Sequence, residues 1–227
     1  MSQFFRVAWI IVKKDLTVEV RTREILYTTV FFAASCVLVF AVAFVREGRA
    51  LAEAGAGILW IAVAFSGTLA LGRTFERERH TETLRALLLA PADRPAVYAG
   101  KLLGVVGLLF ATEAIVIPLV ALFFQAPLFA RPLLMAALVA AGTIGFCAVG
   151  TLFAAMLVRA RSRDVLLPIL LYPITIPVII AGVRGTQALF QEVPDDAMAR
   201  FWILLLVFFD VVFVTLSLWT FEPLMTE

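Results

Sequence analysis

The chain has 227 residues, 63% of them hydrophobic and 16% charged, with a mean hydropathy of +1.01. A soluble globular domain carries about a quarter charged residues, so this composition excludes that class and indicates an integral membrane protein. The formal net charge of +2 is too small for a nucleic-acid surface, and the basic residues are dispersed between apolar runs rather than gathered on one face.

In chain order, residues 3–22 come first and mix Phe4, Phe5, Trp9, Ile10 and Leu16 with Arg6, Lys13, Lys14 and Glu19. This is too charged to cross a bilayer but suits an amphipathic helix lying in the interface, apolar groups down and cations toward the lipid phosphates. A secretory signal has a short apolar core followed by a small-residue cleavage site. Here a mostly amphipathic stretch precedes a full-length span, so the first span is expected to be retained.

Crossing roughly 30 Å of hydrocarbon takes about 20 mainly apolar residues in a helix. Six segments qualify: 27–45, 56–72, 102–124, 133–158, 165–183 and 201–221. The expected fold is all-α, a polytopic bundle of six transmembrane helices with an N-terminal interfacial helix. Residues 1–227 then form a single transmembrane domain, because no segment between spans is long enough for a core of its own. Cations concentrate in alternate segments: Arg6, Lys13, Lys14, Arg21 and Arg23 before the first span, six in 73–101, then Arg159, Arg161 and Arg163. The opposite side holds Arg46, Arg49, Arg131, Arg184 and Arg200. The imbalance places both termini in the cytoplasm.

Two acids lie well inside the spans, Glu113 and Asp210. An ionised carboxylate at that depth costs at least about 2.5 kcal/mol, so each must find a partner or stay neutral. Both fall near the middle of their runs and, if their helices adjoin, are placed to hydrogen-bond or share a proton. Packing through a neighbouring hydroxyl and a polar step on a transport or proton path are the two readings. Pro118 follows Glu113 by about a turn, and Pro168, Pro173 and Pro177 recur in the fifth run. Each removes an N–H and crowds the preceding turn, so 167–180 is expected to be kinked or broken, as fixed bend or as hinge. In the fourth run Ala137, Ala141 and Gly145 form a small-residue seam for close helix approach. Residues 186–201 mix Leu189, Phe190, Val193 and Met198 with acids and are expected to form short helices on the outer face.

Several chemistries lack their parts. Gly100-Lys101 is the nearest approach to a phosphate-binding loop, but Pro95 stands where its first Gly belongs and Leu102 where its hydroxyl belongs. His80 is the single histidine, in a charge run, and supplies neither two axial ligands nor a metal site. Cys36 and Cys147 both lie in apolar runs and read as packing residues. No catalytic residue, no metal site and no directly bound cofactor is expected.

Gly57-Ile-Leu-Trp60, the Leu84-x-x-Leu-Leu-Leu-x-Pro91 stretch with Lys101 ten residues on, and Leu167-Pro-Ile-Leu-Leu-Tyr-Pro-Ile-Thr-Ile-Pro177 carry a resemblance over nearly the full chain. With six spans and a charged cytoplasmic element between the second and third, the sequence resembles the CcmB family, permease subunits of an ABC transporter of cytochrome c maturation. One departure is that Glu82 precedes Thr83-Leu84 where the family usually has Gly, which makes that turn stiffer or lengthens the helix.

The resemblance implies a bacterial inner-membrane protein working with a cytoplasmic ATP-binding subunit, a heme-handling membrane subunit, a small single-span subunit and a periplasmic heme chaperone. ATP is then bound by the partner, and heme is the cargo or is released with its chaperone. Two membrane halves are the rule in such exporters, which suggests a homodimer. Within 73–101, Glu76 to Leu89 is expected to form a short coupling helix. Its Leu84, Leu87 and Leu88 would fill a groove on the ATP-binding subunit while Glu76, Arg77, Glu78, Arg79 and Arg85 set the register. Arg159, Arg161 and Arg163 are placed to touch the same partner or lipid phosphates. A permease for a lipid, polysaccharide or drug, and a scaffold that translocates nothing, are the competing readings.

Overall fold

The computed structural model describes residues 2–46, 49–50, 52–80, 94–127, 130–160, 162–191 and 193–224. The element order is α1 (Ser2–Thr22), α2 (Glu24–Phe44), β1 (Val45–Arg46), β2 (Arg49–Ala50), α3 (Ala52–His80), α4 (Arg94–Phe124), α5 (Pro132–Met156), α6 (Arg163–Phe190) and α7 (Asp196–Leu224). A single 3₁₀ turn, Leu157–Arg159, prolongs α5. The two short strands pair antiparallel, Val45 opposite Ala50, and close the α2–α3 connection. The helices α2 to α7 each carry a stretch long and apolar enough to cross a membrane, in the six places expected. The protein is a multi-pass membrane protein.

α3 and α5 are the middle of the bundle. Two-thirds of the apolar window of each is buried, against 17% in α7 and 28% in α2, which flank them. α3 packs on α2, α4, α5 and α6, while α5 packs on α4, α6 and α7. The exposed faces of α7 (Phe201, Leu204, Phe208, Val211, Trp219) and α2 (Tyr27, Phe31, Val39, Val42) are apolar. Lipid is the solvent that accepts such surfaces.

Buried side chains form two apolar clusters, one at each end of the bundle. One contains Ala33, Val37, Leu59, Val116, Val120, Leu138 and Val178. The other contains Ile25, Leu71, Tyr98, Leu109, Phe146, Leu167 and Leu171. Between them along the helices come the buried polar residues Thr29, Thr112, Glu113, Thr143 and Thr175. Thr175 donates to the Leu171 carbonyl within its own helix, the usual way for a hydroxyl to be satisfied in lipid.

Close packing at the first end rests on Trp60. Its ring lies against Gly142 of α5 and Gly182 of α6, where a Cβ on either glycine would collide with it. Its indole Nε1 donates to Thr186 Oγ1 at 3.0 Å. Glycine at both positions lets a large ring sit between two helices that otherwise pack tightly. The small-residue seam expected on α5 is present at Gly145, over which α7 lies, and at buried Ala141, whereas Ala137 is exposed.

Two expectations meet a different structure. Of the kinked or broken alternatives for 167–180, the break is absent: α6 is one helix from Arg163 to Phe190 through Pro168, Pro173 and Pro177. Its buried stripe, Leu167, Leu171, Thr175 and Val178, holds the helix on its neighbours, while Pro173 and Pro177 lie on the exposed side. α4 likewise continues through Pro118. The short outer-face helices do not form: 186–190 belong to α6, and α7 begins at Asp196, capped by Asp195 Oδ1 accepting from Met198 N–H at 2.9 Å. An Asp side chain at this position satisfies an end N–H and starts a helix directly. The second span is where it is expected, within Ala54–Thr74, and its helix α3, with 29 residues or about 43 Å at 1.5 Å per residue, continues beyond the hydrocarbon.

Gly142→Leu drives a branched side chain into the Trp60 ring. The expected loss is about 1–3 kcal/mol, the ordinary cost of overpacking. It is read as a lowered melting temperature of the detergent-purified protein, and an unchanged melting temperature would contradict the Trp60 packing.

Candidate functional site

At the charged end of the bundle an ion pair joins α1 to α4. Lys101, in α4, is 2% exposed, and its Nζ lies 2.7 Å from Asp15 Oδ2 of α1. Next to it, Gly100 touches α1 so closely that a Cβ there would meet the Ala8 carbonyl and Ile11, each at 2.8 Å. Ala8, Ile11 and Val12 are buried along this seam, whereas Phe5, Trp9, Ile10 and Val20 remain exposed. α1 therefore has one face fastened to α4 and a second, apolar face exposed. Gly100-Lys101, which failed as a phosphate loop, is the docking seam of α1.

The α1–α2 joint is equally specified. Arg23, with φ 53°, takes the left-handed conformation that ends α1, and Glu19 Oε1 accepts from Leu26 N–H at 2.8 Å, capping α2. Tyr98, fully buried in α4, donates to the Ala148 carbonyl of α5 at 2.9 Å. Arg163 was expected at a lipid or partner surface. It is instead 5% exposed, its Nη2 donating to the Gly72 carbonyl of α3 at 2.6 Å, which ties the start of α6 to α3. The side chain of Arg159 and all of Arg161 lie outside the described residues.

The expected coupling helix is placed only at its start. Glu76, Arg77, Glu78 and Arg79 continue the backbone of α3 to His80 instead of opening a separate helix. The charged residues extend a span already long enough to leave the hydrocarbon, and nothing in their helix propensity stops it. Leu84, Arg85, Leu87 and Leu88 lie outside the described residues. Across the 81–93 connection, α3 and α4 adjoin one another and α4 carries α1. A force applied to this connection thus reaches three helices at once.

At mid-bundle the two acids flank α5. Glu113 of α4 is 3% exposed, and its Oε1 accepts a hydrogen bond from the Thr143 hydroxyl of α5. Beside it, the Thr29 and Thr112 hydroxyls lie 3.2 Å apart and join α2 to α4. Asp210 of α7 places Oδ1 over Gly145, where it has no hydrogen-bond partner. The two acids sit at one depth, as their positions in the runs suggested, but no hydrogen bond joins them. Glu113 is satisfied on one oxygen by a neighbouring hydroxyl instead. Cys36 is half-buried and Cys147 buried, both as free thiols. Among the described residues no group of three or more His, Cys, Asp and Glu side chains comes together.

Among the clefts between helices, two adjoin residues of the polar layer and the charged end. One, of about 510 Å³, lies between α2, α3 and α6, with Phe32, Phe65 and Tyr172 in its wall and Arg73 and Asp164 at its charged end. The other, of about 390 Å³, lies between α4 and α5 and includes Glu113.

The model of the CcmB protein family matches residues 6–223, which takes in every helix of the bundle, the docked α1 included. The chain belongs to the CcmB family. Relatives named heme exporter protein B are similar along most of their length. The one from Paracoccus denitrificans is 33% identical over 69% of this chain and 71% of its own. That from Rhodobacter capsulatus is 32% identical over 67% and 72%. That from Escherichia coli K12 is 29% identical over 83% and 85%. The CcmB segments singled out in the sequence have structural roles here: Trp60 is the ring between Gly142 and Gly182, Lys101 holds α1, and Leu167 and Leu171 are the buried stripe of α6.

Asp15 and Lys101 had been missed as a pair because they are 86 residues apart, one in the N-terminal amphipathic stretch and the other at the end of the 73–101 loop. Removing Asp15 takes the α1 counter-charge from the buried Lys101, so Asp15→Asn is expected to cost about 3 kcal/mol, the lower end of the range because Asp15 itself is partly exposed. Release of α1 is read by protease cleavage within 2–22 in membrane vesicles. The double variant Asp15→Asn, Lys101→Met is expected to recover much of the loss, and equal sensitivity of single and double variants would contradict the pair.

Proposed function

We propose that this chain is the permease subunit of an ABC transporter of cytochrome c maturation, sited in the bacterial inner membrane with both termini cytoplasmic. ATP hydrolysis takes place in a separate cytoplasmic subunit and drives heme export, or the release of the heme-loaded periplasmic chaperone. The observation that carries this reading is membership of the CcmB family over nearly the whole chain, together with relatives whose names specify heme export. The chain itself is non-catalytic in this account.

The mechanism follows from the charged end of the bundle. The ATP-binding subunit grips 76–89, with Leu84, Leu87 and Leu88 in its groove and Glu76, Arg77, Glu78, Arg79 and Arg85 at the rim. Its closure pulls on the connection between α3 and α4. Because Lys101 and Gly100 bind α1 to α4, and Arg163 binds α6 to α3, the displacement is passed to the interfacial helix and to α6 together. A homodimer of this chain, a heme-handling membrane subunit, a small single-span subunit and the periplasmic chaperone complete the assembly.

Heme iron finds few ligands in this chain. His80 is its single histidine, and Cys36 and Cys147 lie within α2 and α5. Contact with the cargo would therefore run through apolar and propionate groups, or iron would be held by the heme-handling subunit. That scarcity favours, as the second reading, a chain that scaffolds the heme-handling subunit without passing heme itself.

Leu84→Asp with Leu87→Asp puts two charges into the proposed groove. The ATP-binding subunit is expected to be lost from the purified complex, and cytochrome c maturation with it, while the chain still inserts at normal abundance. A complex that keeps its ATPase subunit would contradict the grip.

A further inference from the structure

The cleft between α2, α3 and α6 brings a cation, an anion and an apolar wall to one place. Helices α3 and α6 run antiparallel beside it. The Phe65 and Tyr172 rings meet edge to face at 6.0 Å, and the Thr68 hydroxyl donates to Tyr172 Oη at 3.2 Å. Arg73 follows Phe65 by about 12 Å of helix and Asp164 precedes Tyr172 by about the same rise, so the two charges share one end of the cleft and the rings the other. Both charges fall at the limits of the apolar windows, Ala54–Thr74 in α3 and Arg163–Phe190 in α6, the level at which lipid headgroups lie. Phe32 of α2 stands across from Phe65, ring to ring at 6.3 Å. Among the described residues α2 and α6 each pack on α3 but not closely on one another, so α3 is the floor and the cleft opens between them. Its groups are accessible: Phe32 is 40% and Phe65 46% exposed, Arg73 is exposed, and the Asp164 side chain is 88% exposed. A Cβ added at Gly72, in the same wall, would meet nothing within 4 Å, so there is room between the helices. At about 510 Å³ the cleft has the size of a small-molecule site.

We propose that this cleft binds a phospholipid with a primary-amine headgroup, one acyl chain along the aromatic wall, the phosphate on Arg73 and the ammonium on Asp164. The wall of Phe32, Phe65, Leu69, Leu167 and Pro168 asks for an apolar chain. At the charged end the guanidinium donates to phosphate oxygens and the ammonium donates to the carboxylate, both charge-assisted bonds. A headgroup carrying phosphate alone would set a like charge against Asp164, and this repulsion is what selects the zwitterion. The site is independent of the cargo proposed above and stands or falls without it.

The test uses the assembled complex in phosphatidylglycerol vesicles containing a trace of phosphatidylethanolamine with a photoreactive diazirine on one acyl chain. The comparison probe is phosphatidylglycerol with the same chain. After illumination, peptide mass spectrometry is expected to place adducts of the amine probe on 65–73 and 164–172, about fivefold above the comparison probe, the effect of one hydrogen bond. Asp164→Asn, a change at an exposed side chain, brings the two probes to parity, and Arg73→Gln lowers both. Gly72→Leu, which fills the cleft and keeps both charges, removes both. Equal labelling by the two probes, a preference that survives Asp164→Asn, or adducts spread evenly over the exposed faces of α2 and α7 would overturn the proposal. So would labelling that occurs in the isolated chain but is blocked in the complex, which would assign the cleft to a partner helix.

Discussion

The Asp15–Lys101 ion pair is the contact on which the charged end of this molecule depends. A lysine buried to 2% exposure at the start of a membrane helix is tolerable only with a fixed counter-charge, and α1 supplies one in Asp15. The pair therefore sets both the position of the interfacial helix and the depth at which α4 enters the bundle. Gly100 makes this possible by removing the side chain that would hold the two helices apart. An amphipathic helix bound to lipid alone would be free to slide. This one is attached to the span that follows the 81–93 connection.

That attachment gives the fold its mechanical logic. The bundle is built from two apolar cores stacked end to end, with threonines and Glu113 at the level between them. Packing within each core is close, with Trp60 wedged against two glycines at one end and Tyr98 bonded to the α5 backbone at the other. The polar layer is satisfied largely by hydroxyls bonding to carbonyls within their own helices, which keeps it compatible with lipid. Relative movement of the two halves would alter least at the cores and most at this layer, where Glu113 Oε2 and Asp210 Oδ1 still lack partners.

The number of spans, their places and the presence of an N-terminal helix were legible in the sequence, because hydrophobic length and charge report directly on the bilayer. The depth of Glu113 and Asp210 was legible for the same reason. What the sequence concealed were choices made by tertiary contact. Lys101 and Arg163 counted as cytoplasmic charges, yet each turns inward to a partner far along the chain. Three prolines argued for a kinked or broken α6, but the helix is continuous and held on its neighbours by the buried stripe of Leu167, Leu171, Thr175 and Val178. Residues 186–201 had the composition of surface helices, whereas Asp195 caps α7 and leaves 191–195 as the whole connection. Trp60 stood in a motif without a role until Gly142 and Gly182 supplied its seat.

The central claim is that this CcmB-family chain is a permease moved by a separate ATPase. The most direct measurement is gentle detergent purification of the tagged chain from its native membrane, with mass spectrometry of what accompanies it and assay of its ATPase activity. The account predicts an ATP-binding subunit, a heme-handling membrane protein and hydrolysis that disappears when the ATP-binding subunit is removed. A chain that purifies with lipid or sugar enzymes, or with no ATPase at all, would contradict it.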